Sequence, residues 1–255
     1  MQVVGVQFDI AWEDKRANYQ KVRRMVDDGN VPAGALVVLP EMFATGFSMN
    51  AEAVSEPAGG PTEQFLSDLA RTREVFLIGG VAVKGKDGRC RNKALTFAPD
   101  GRLMGFYAKM RLFSPGEEHL HFAAGGAPMI FKVTGGTVSP FICYDLRFPE
   151  LFRKATAAAA PDLFVVIANW PDKRIHHWTR LLQARAIENQ AYLVGVNRIG
   201  SDPQSAYCGR SLIVDPHGEI IADAGSNETL VKAELDLAKL GEYRQRLPFL
   251  RDLTA

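Results

Sequence analysis

Cys143 ends an apolar run in VSPFICYDLRFPEL, Val138 to Leu151, and Tyr144, Asp145 and Arg147 follow it closely. Phe148, Pro149 and Glu150 then open a helical stretch. A strand that turns sharply into a helix holds one side chain at the turn, pointing out of the sheet. A thiol placed there, beside free backbone N–H groups, can be a nucleophile with an oxyanion site attached. The alternative is a buried cysteine closing a core strand; the charged cluster just past it argues against a purely apolar setting. Such a thiol needs a base and a cation. Glu41 directly follows ALVVLP, where a carboxylate is costly unless paired or functional. Its functional role would be that of a general base, taking the thiol proton and then activating a water. Lys109 closes GRLMGFYAK. An ammonium near the thiol would lower its pKa and stabilise a tetrahedral oxyanion. Each also has an ordinary reading, as a charge at a loop start and as a solvated strand-end lysine. Glu41, Lys109 and Cys143 all stand at strand ends, a placement that predicts their convergence at one rim.

The remaining polar groups are less pointed. Glu118, in PGEEH, reads by itself as a surface acid. His119 and His121 lie at i, i+2 in a loop with no further Cys or His nearby, which argues against a metal site. His176 and His177 are adjacent and cannot face one site together from a helix. Nothing singles out one of the five His residues as a partner for Cys143.

The elements that would position these groups follow a rhythm. Strand-like runs at Val3 to Phe8 and Ala35 to Leu39 are each followed by a helical pattern, Asp14 to Asp28 and then from Pro61 onward. Val75 to Val83, Asn92 to Ala98 and Arg102 to Ala108 read as strands joined at Asp87-Gly88 and Asp100-Gly101, strong hairpin signals. Met110 to Gly126 is a long loop. Strands at Met129 to Val133 and Gly136 to Cys143 precede a helix over Pro149 to Ala160. Leu163 to Ala168 is an apolar strand, His177 to Gln190 a helix, and Tyr192 to Asn197 another strand. Ile199 to Tyr207 reads as a polar loop. Closing strands fall at Gly209 to Val214, Glu219 to Asp223 and Leu230 to Glu234, with a last helix over Leu237 to Gln245. Two β-α units, a run of hairpin strands, and the same order again predict an α/β fold: a four-layer αββα sandwich of two mixed β-sheets with helices outside. A plain doubly wound fold would leave the hairpin runs without a place.

Composition bounds the rest. With 255 residues and 47% hydrophobic content, one domain spanning 1–255 is expected, with a tail from about Leu247. A formal charge of +1 offers no bulk attraction for nucleic acid or an acidic membrane surface. No run approaches the roughly 18 apolar residues of a membrane span. The three Cys, at 90, 143 and 208, lack paired or metal-like spacing. That fits free thiols in a reducing compartment, so a soluble cytoplasmic protein is expected.

Taken together, LVVLPEMFATGF, YAKMRLF and FICYDLRFPEL resemble, in order and spacing, the three signature segments of the nitrilase, or carbon–nitrogen hydrolase, superfamily. The resemblance runs from Val3 to about Glu234. It implies catalytic roles for Glu41, Lys109 and Cys143, and a second acid, at Glu118 with Glu117 as rival, supporting the lysine. It also implies an αββα sandwich that dimerises, without metal or organic cofactor. ANWPDKRIHHWTRLLQARAIENQAYLVGVNRIG and YCGRSLIVDPHGEI look most similar to the omega-amidases. The implied activity is hydrolysis of the terminal amide of a 2-oxoglutaramate-like dicarboxylic acid monoamide through a thioester. The Tyr144 N–H would join Lys109 at the oxyanion, and Phe43, Phe113, Phe148 and Trp170 would wall the pocket. Arg147, Arg174, Lys173 and His177 are candidates for the anionic end of the substrate, Arg being best matched to a carboxylate. Arg147 could instead pair with Asp145 or Glu150. KMRLF departs from the family's usual basic residue followed by His, at Met110 and Arg111. Other carbon–nitrogen hydrolase chemistry, on nitriles, N-carbamoyl compounds or aliphatic amides, stays open, as does a thiol-redox or non-catalytic protein on the same scaffold.

Overall fold

The structure, a computed structural model, describes residues 1–133 and 135–253. In chain order its elements are β1 (Gln2–Gln7), α1 (Lys15–Asp28), β2 (Leu36–Val38), α2 (Ala51–Val54), β3 (Glu56–Pro57), α3 (Pro61–Arg73), β4 (Phe76–Lys84), β5 (Cys90–Phe97) and β6 (Leu103–Ala108). Then come α4 (Glu118–His121), β7 (Phe131–Val133), β8 (Gly136–Ile142), α5 (Pro149–Ala159), β9 (Leu163–Ala168), α6 (Ile175–Asn189) and β10 (Tyr192–Asn197). β11 (Ile199–Ser201), β12 (Ala206–Cys208), β13 (Leu212–Val214), β14 (Ile220–Asp223), β15 (Thr229–Glu234) and α7 (Leu237–Arg246) complete the chain.

The strands form two mixed sheets with matching plans. The first runs β15-β1-β2-β4-β5-β6, with the short β3 beside β4. The second runs β14-β13-β10-β9-β8-β7. Parallel strands occupy the middle of each sheet (β1-β2-β4 and β8-β9-β10), and antiparallel hairpins extend the edges. The period-two alternation of strands sorts side chains between two cores. Val4, Val6 and Phe8 of the first strand and its exit face α1 and α3, meeting Val22, Val26, Leu66 and Leu69. Val3, Leu36, Val38 and Ile78 point the other way, into the inter-sheet core. There they join the wholly buried β9 and β10, which α5 and α6 cover from outside through Phe152, Trp178 and Leu182. Gly5 lets the sheets approach closely: a Cβ there would stand 2.8 Å from Val196 Cγ2 of β10. The result is the four-layer αββα sandwich.

Local signals set the outer helices. Asp14 caps α1 by accepting from the Ala17 N–H at 3.0 Å, and Pro61 occupies the first turn of α3. Three segments differ from the sequence reading. Ile199 to Tyr207 is the β11–β12 hairpin rather than a loop, its strands too short and polar to show alternation. The long loop after Lys109 contains a 3₁₀ turn at Ser114–Gly116 and α4. The loop after Gly46 contains α2 and β3, each shorter than a periodic pattern needs. Among the described residues, no helix is long and apolar enough to cross a membrane.

Candidate active site

β2 delivers Glu41 to the end of the first sheet, where the chain reverses with Met42 at φ +44°. The reversal rests on β4: the Phe43 N–H donates to Gly80 O at 3.2 Å, and the Gly80 N–H to Pro40 O at 3.2 Å. Only glycine fits at this approach, because a Cβ on Gly80 would lie 2.5 Å from both Glu41 Cα and Met42 N. Lys109 leaves the end of β6, its backbone tied to Asn92 O at 2.9 Å and to the Gly125 N–H at 2.8 Å. Cys143 leaves the end of β8 at φ +47° and starts a 3₁₀ turn, Cys143–Arg147, whose first N–H groups have no partner within the turn.

These strand ends converge. Glu41 Oε1 accepts from Lys109 Nζ at 2.8 Å and from Asn92 Nδ2 at 2.7 Å, while Oε2 accepts from the Asn169 N–H at 2.9 Å. Lys109 Nζ also lies 2.9 Å from Glu118 Oε2, which accepts from the Phe113 N–H at 2.6 Å. Glu41, Lys109 and Glu118 are all 0% exposed. Burial opposes the Lys109 charge, but Glu118 and Glu41 outweigh it and hold the ammonium well above the usual lysine range. The Cys143 sulfur meets Asn169 O at 3.9 Å, and Glu41, Lys109 and Glu118 all act on it electrostatically. Burial and the negative Glu41 push its thiol well up, and the nearby Lys109 pulls down less strongly. The thiol is therefore held toward its neutral form beside the Lys109 ammonium. Of the two acids, Glu41 acts on the sulfur more strongly than Glu118. Burial also pushes the Asp145 carboxyl up to about 7, against donors from Ile142, Tyr107 and Arg111 and the charge of Lys109.

Cys143 keeps partial solvent access, through a cavity that opens to the surface. Its apolar walls include Phe47, Phe113, Trp170 and Tyr207, and Arg147 and Arg174 bring positive charge to it. Arg147 lies 4.6 Å over the Trp170 ring with one nitrogen 3.2 Å from His177 Nδ1, and Arg174 lies 5.6 Å over the Phe113 ring. Burial and the neighbouring Arg174 lower the pKa of Arg147. Among the described residues, neither guanidinium has a carboxylate within ion-pair distance.

A family model described as "Carbon-nitrogen hydrolase" matches residues 3–245. The chain belongs to the carbon-nitrogen hydrolase family. This hydrolase is 39% identical, over 99% of its length and 96% of the relative's, to the omega-amidase YafV of Escherichia coli K12. It is 35% identical to the 2-oxoglutaramate amidase of Bacillus subtilis 168, over 97% of this chain and 95% of the relative. Among solved structures, XC1258 of Xanthomonas campestris, a CN-hydrolase superfamily protein with an arsenic adduct in the active site, superposes with a TM-score of 0.93. It is 33% identical, and the match covers 100% of this chain and 97% of that one.

The geometry of the hydrolase brings Glu41, Lys109, Glu118 and Cys143 together, with Tyr144, Phe113, Arg147, Trp170 and Arg174 around the cavity. It separates others from it. Phe43 is fully buried in the outer core, 6.2 Å from the Tyr19 ring and 6.0 Å from Phe65, because the turn at Met42 sends it to the far face of the sheet. Phe148 packs edge-on to Tyr144 at 5.1 Å, under the Arg111 guanidinium, and lies outside the cavity wall. Lys173 is exposed in an adjoining groove. Glu117 is exposed at φ +55°, leaving Glu118 as the buried acid. The alternative pairing of Arg147 also fails: Glu150 bonds Arg111 at 3.0 Å, and Asp145 takes other donors. Asn92, Asn169, Phe47 and Tyr207 belong to the site and are absent from the sequence reading. Asn169 carries the same signal as Glu41, a polar residue directly after a buried apolar strand, LFVVIA. Asn92 shows only as an Asn inside a strand, where that residue is depleted.

Proposed function

We propose that the protein is a cysteine amidohydrolase that releases ammonia from the terminal amide of a small dicarboxylic acid monoamide, with 2-oxoglutaramate as the type substrate. The observation that carries this reading is one cavity lined by both a thiol, set beside a buried Glu–Lys–Glu cluster, and two guanidiniums without acidic partners among the described residues. Glu41 takes the Cys143 proton as the sulfur attacks the amide carbon. The new oxyanion is held by Lys109 and the Tyr144 N–H. An ammonium has three donors, of which Glu41 and Glu118 occupy two, so one remains for the oxyanion. Glu118 keeps Lys109 charged when Glu41 becomes neutral. Glu41 then returns its proton to the departing ammonia and activates a water that cleaves the thioester. Arg147 and Arg174 bind the distal carboxylate, between the rings of Phe113 and Trp170.

Similarity to relatives named omega-amidase and 2-oxoglutaramate amidase supports this substrate class. Ammonia release from a panel of dicarboxylic monoamides, nitriles and N-carbamoyl acids, with carbon dioxide followed in parallel, tests it. The monoamides are expected to turn over fastest without carbon dioxide, and Cys143→Ala to abolish the reaction in a folded protein. Full residual activity in that variant would end the covalent scheme. A cytoplasmic homodimer belongs to the same proposal. Three free cysteines support a reducing location. Exposed Ile187, Leu247 and Phe249, on α6 and the tail beyond α7, offer an apolar contact for a second copy. A solution mass of one chain by light scattering would remove the dimer.

A further inference from the structure

Asp145 is fully buried, yet no step above uses it. Its two oxygens collect three donors, from a strand of each sheet and from the loop after β6. Oδ2 accepts from the Tyr107 hydroxyl at 2.8 Å and from the Ile142 N–H at 3.0 Å. Oδ1 accepts from the Arg111 N–H at 2.8 Å. The Tyr107 hydroxyl in turn accepts from the Met110 N–H at 3.3 Å. Tyr107 and Arg111 stand two residues to either side of Lys109, and Ile142 and Asp145 bracket Cys143. One carboxylate therefore grips the chain on both sides of the lysine and on both sides of the nucleophile.

We infer that Asp145 is a positioning residue, a clamp that sets the separation of the Lys109 ammonium and the Cys143 sulfur by joining the end of β6 to the turn after β8. The chemistry of the group fits the task. A carboxyl group accepts in several directions, and the three donors aimed at it favour its ionised form against burial, so it takes N–H and O–H donors from unrelated segments at once. An amide in its place would aim its own N–H at one of those donors. Lys109 is already tied to Glu41 and Glu118 in the first half of the molecule, so the clamp registers that cluster against a sulfur supplied by the second half. A 1 Å misplacement of reacting groups can cost about a hundredfold in rate. A clamp therefore acts on kcat and leaves substrate affinity alone.

The kinetic arm of the test rests on the amidase reading; a second arm does not. Asp145→Asn and Tyr107→Phe are made in the full chain, with succinamate as substrate. Asp145→Asn is expected to lower kcat by about thirtyfold and Tyr107→Phe by about fivefold, each with KM within twofold of the parent. A kcat within twofold of the parent in the folded variants, or a rise in KM alone, overturns the clamp. If Asp145→Asn does not fold, Tyr107→Phe decides by the same criteria. If the parent hydrolyses no amide, the functional reading fails, and the clamp is judged by the rate of Cys143 alkylation with iodoacetamide, followed by mass spectrometry. Slowing of at least about threefold in Tyr107→Phe supports it, since the thiolate loses a well-placed ammonium, and an unchanged rate overturns it.

Discussion

The inner end of the cavity and its mouth are held by different means. Inside, Glu41, Lys109 and Glu118 have no exposed surface, and each is fixed by at least two short polar contacts to neighbours in rigid strands or their ends. At the mouth, Arg147 and Arg174 are half-buried, rest on aromatic faces and lack acidic partners, and the adjacent Gln204 and Ser205 sit in the turn of the β11–β12 hairpin. Buried charges depend on one another, because removing one strands the rest. Charges at the mouth are solvated and can change alone. On the proposed reading, the reacting groups are locked to the fold, and substrate preference would rest on side chains that the fold does not need.

That contrast can be broken experimentally, beginning where the effect is largest. Lys109→Ala should abolish turnover and also destabilise the protein by about 3–5 kcal/mol, as Glu41 and Glu118 are left buried without their cation. Thermal unfolding beside ammonia release measures both; an unchanged melting temperature would mean that the interior is not interdependent. Glu41→Gln retains most of the volume and one acceptor oxygen. Its kcat should fall at least about a hundredfold, roughly 2.7 kcal/mol of barrier.

Arg174→Ala and Arg147→Ala address the mouth. Each should raise KM for a dicarboxylic monoamide about tenfold or more, in line with the roughly 1.5–3 kcal/mol of a hydrogen bond to a charged group, with little change in melting temperature. For an amide lacking the distal carboxylate, KM should stay near the parent value. Equal effects on both substrates would remove these arginines from carboxylate binding. The pH dependence of alkylation sharpens the comparison from the other side. Because burial and Glu41 hold the Cys143 thiol well up, its thiolate fraction should climb about tenfold per pH unit through neutrality. Iodoacetamide labelling of the free enzyme should still be rising at pH 9, in the parent and in both arginine variants. A plateau at or below pH 7 would show a thiolate already formed at rest.

Much of the interior was legible in the chain because it stands at ends of strongly patterned strands. ALVVLP before Glu41, GRLMGFYAK and VSPFIC each announce a strand and then break to a chemically distinct residue. The hairpin glycines Gly88 and Gly101 likewise adopt the positive φ that their turns demand. Phe43 was misread because one residue of left-handed backbone, Met42, reversed the face to which the next side chain points. Phe148 was misread because adjacency along the chain does not distinguish the wall of a cavity from the packing behind it. Asn92 and the β11–β12 hairpin left little trace, since a side chain that orients another side chain carries no periodic signal. Between Glu117 and Glu118 the sequence could not choose; a single turn of α4 and its burial decide.

The reactive assembly is drawn from both halves of the sandwich. Glu41 and Lys109 come from ends of strands in the first sheet, and Cys143 and Asn169 from ends of strands in the second. A chain in which either half has consolidated alone contains no working set of groups. Recovery of turnover after dilution from denaturant therefore times the final docking of the halves, and it should lag the optical signals that report each half separately.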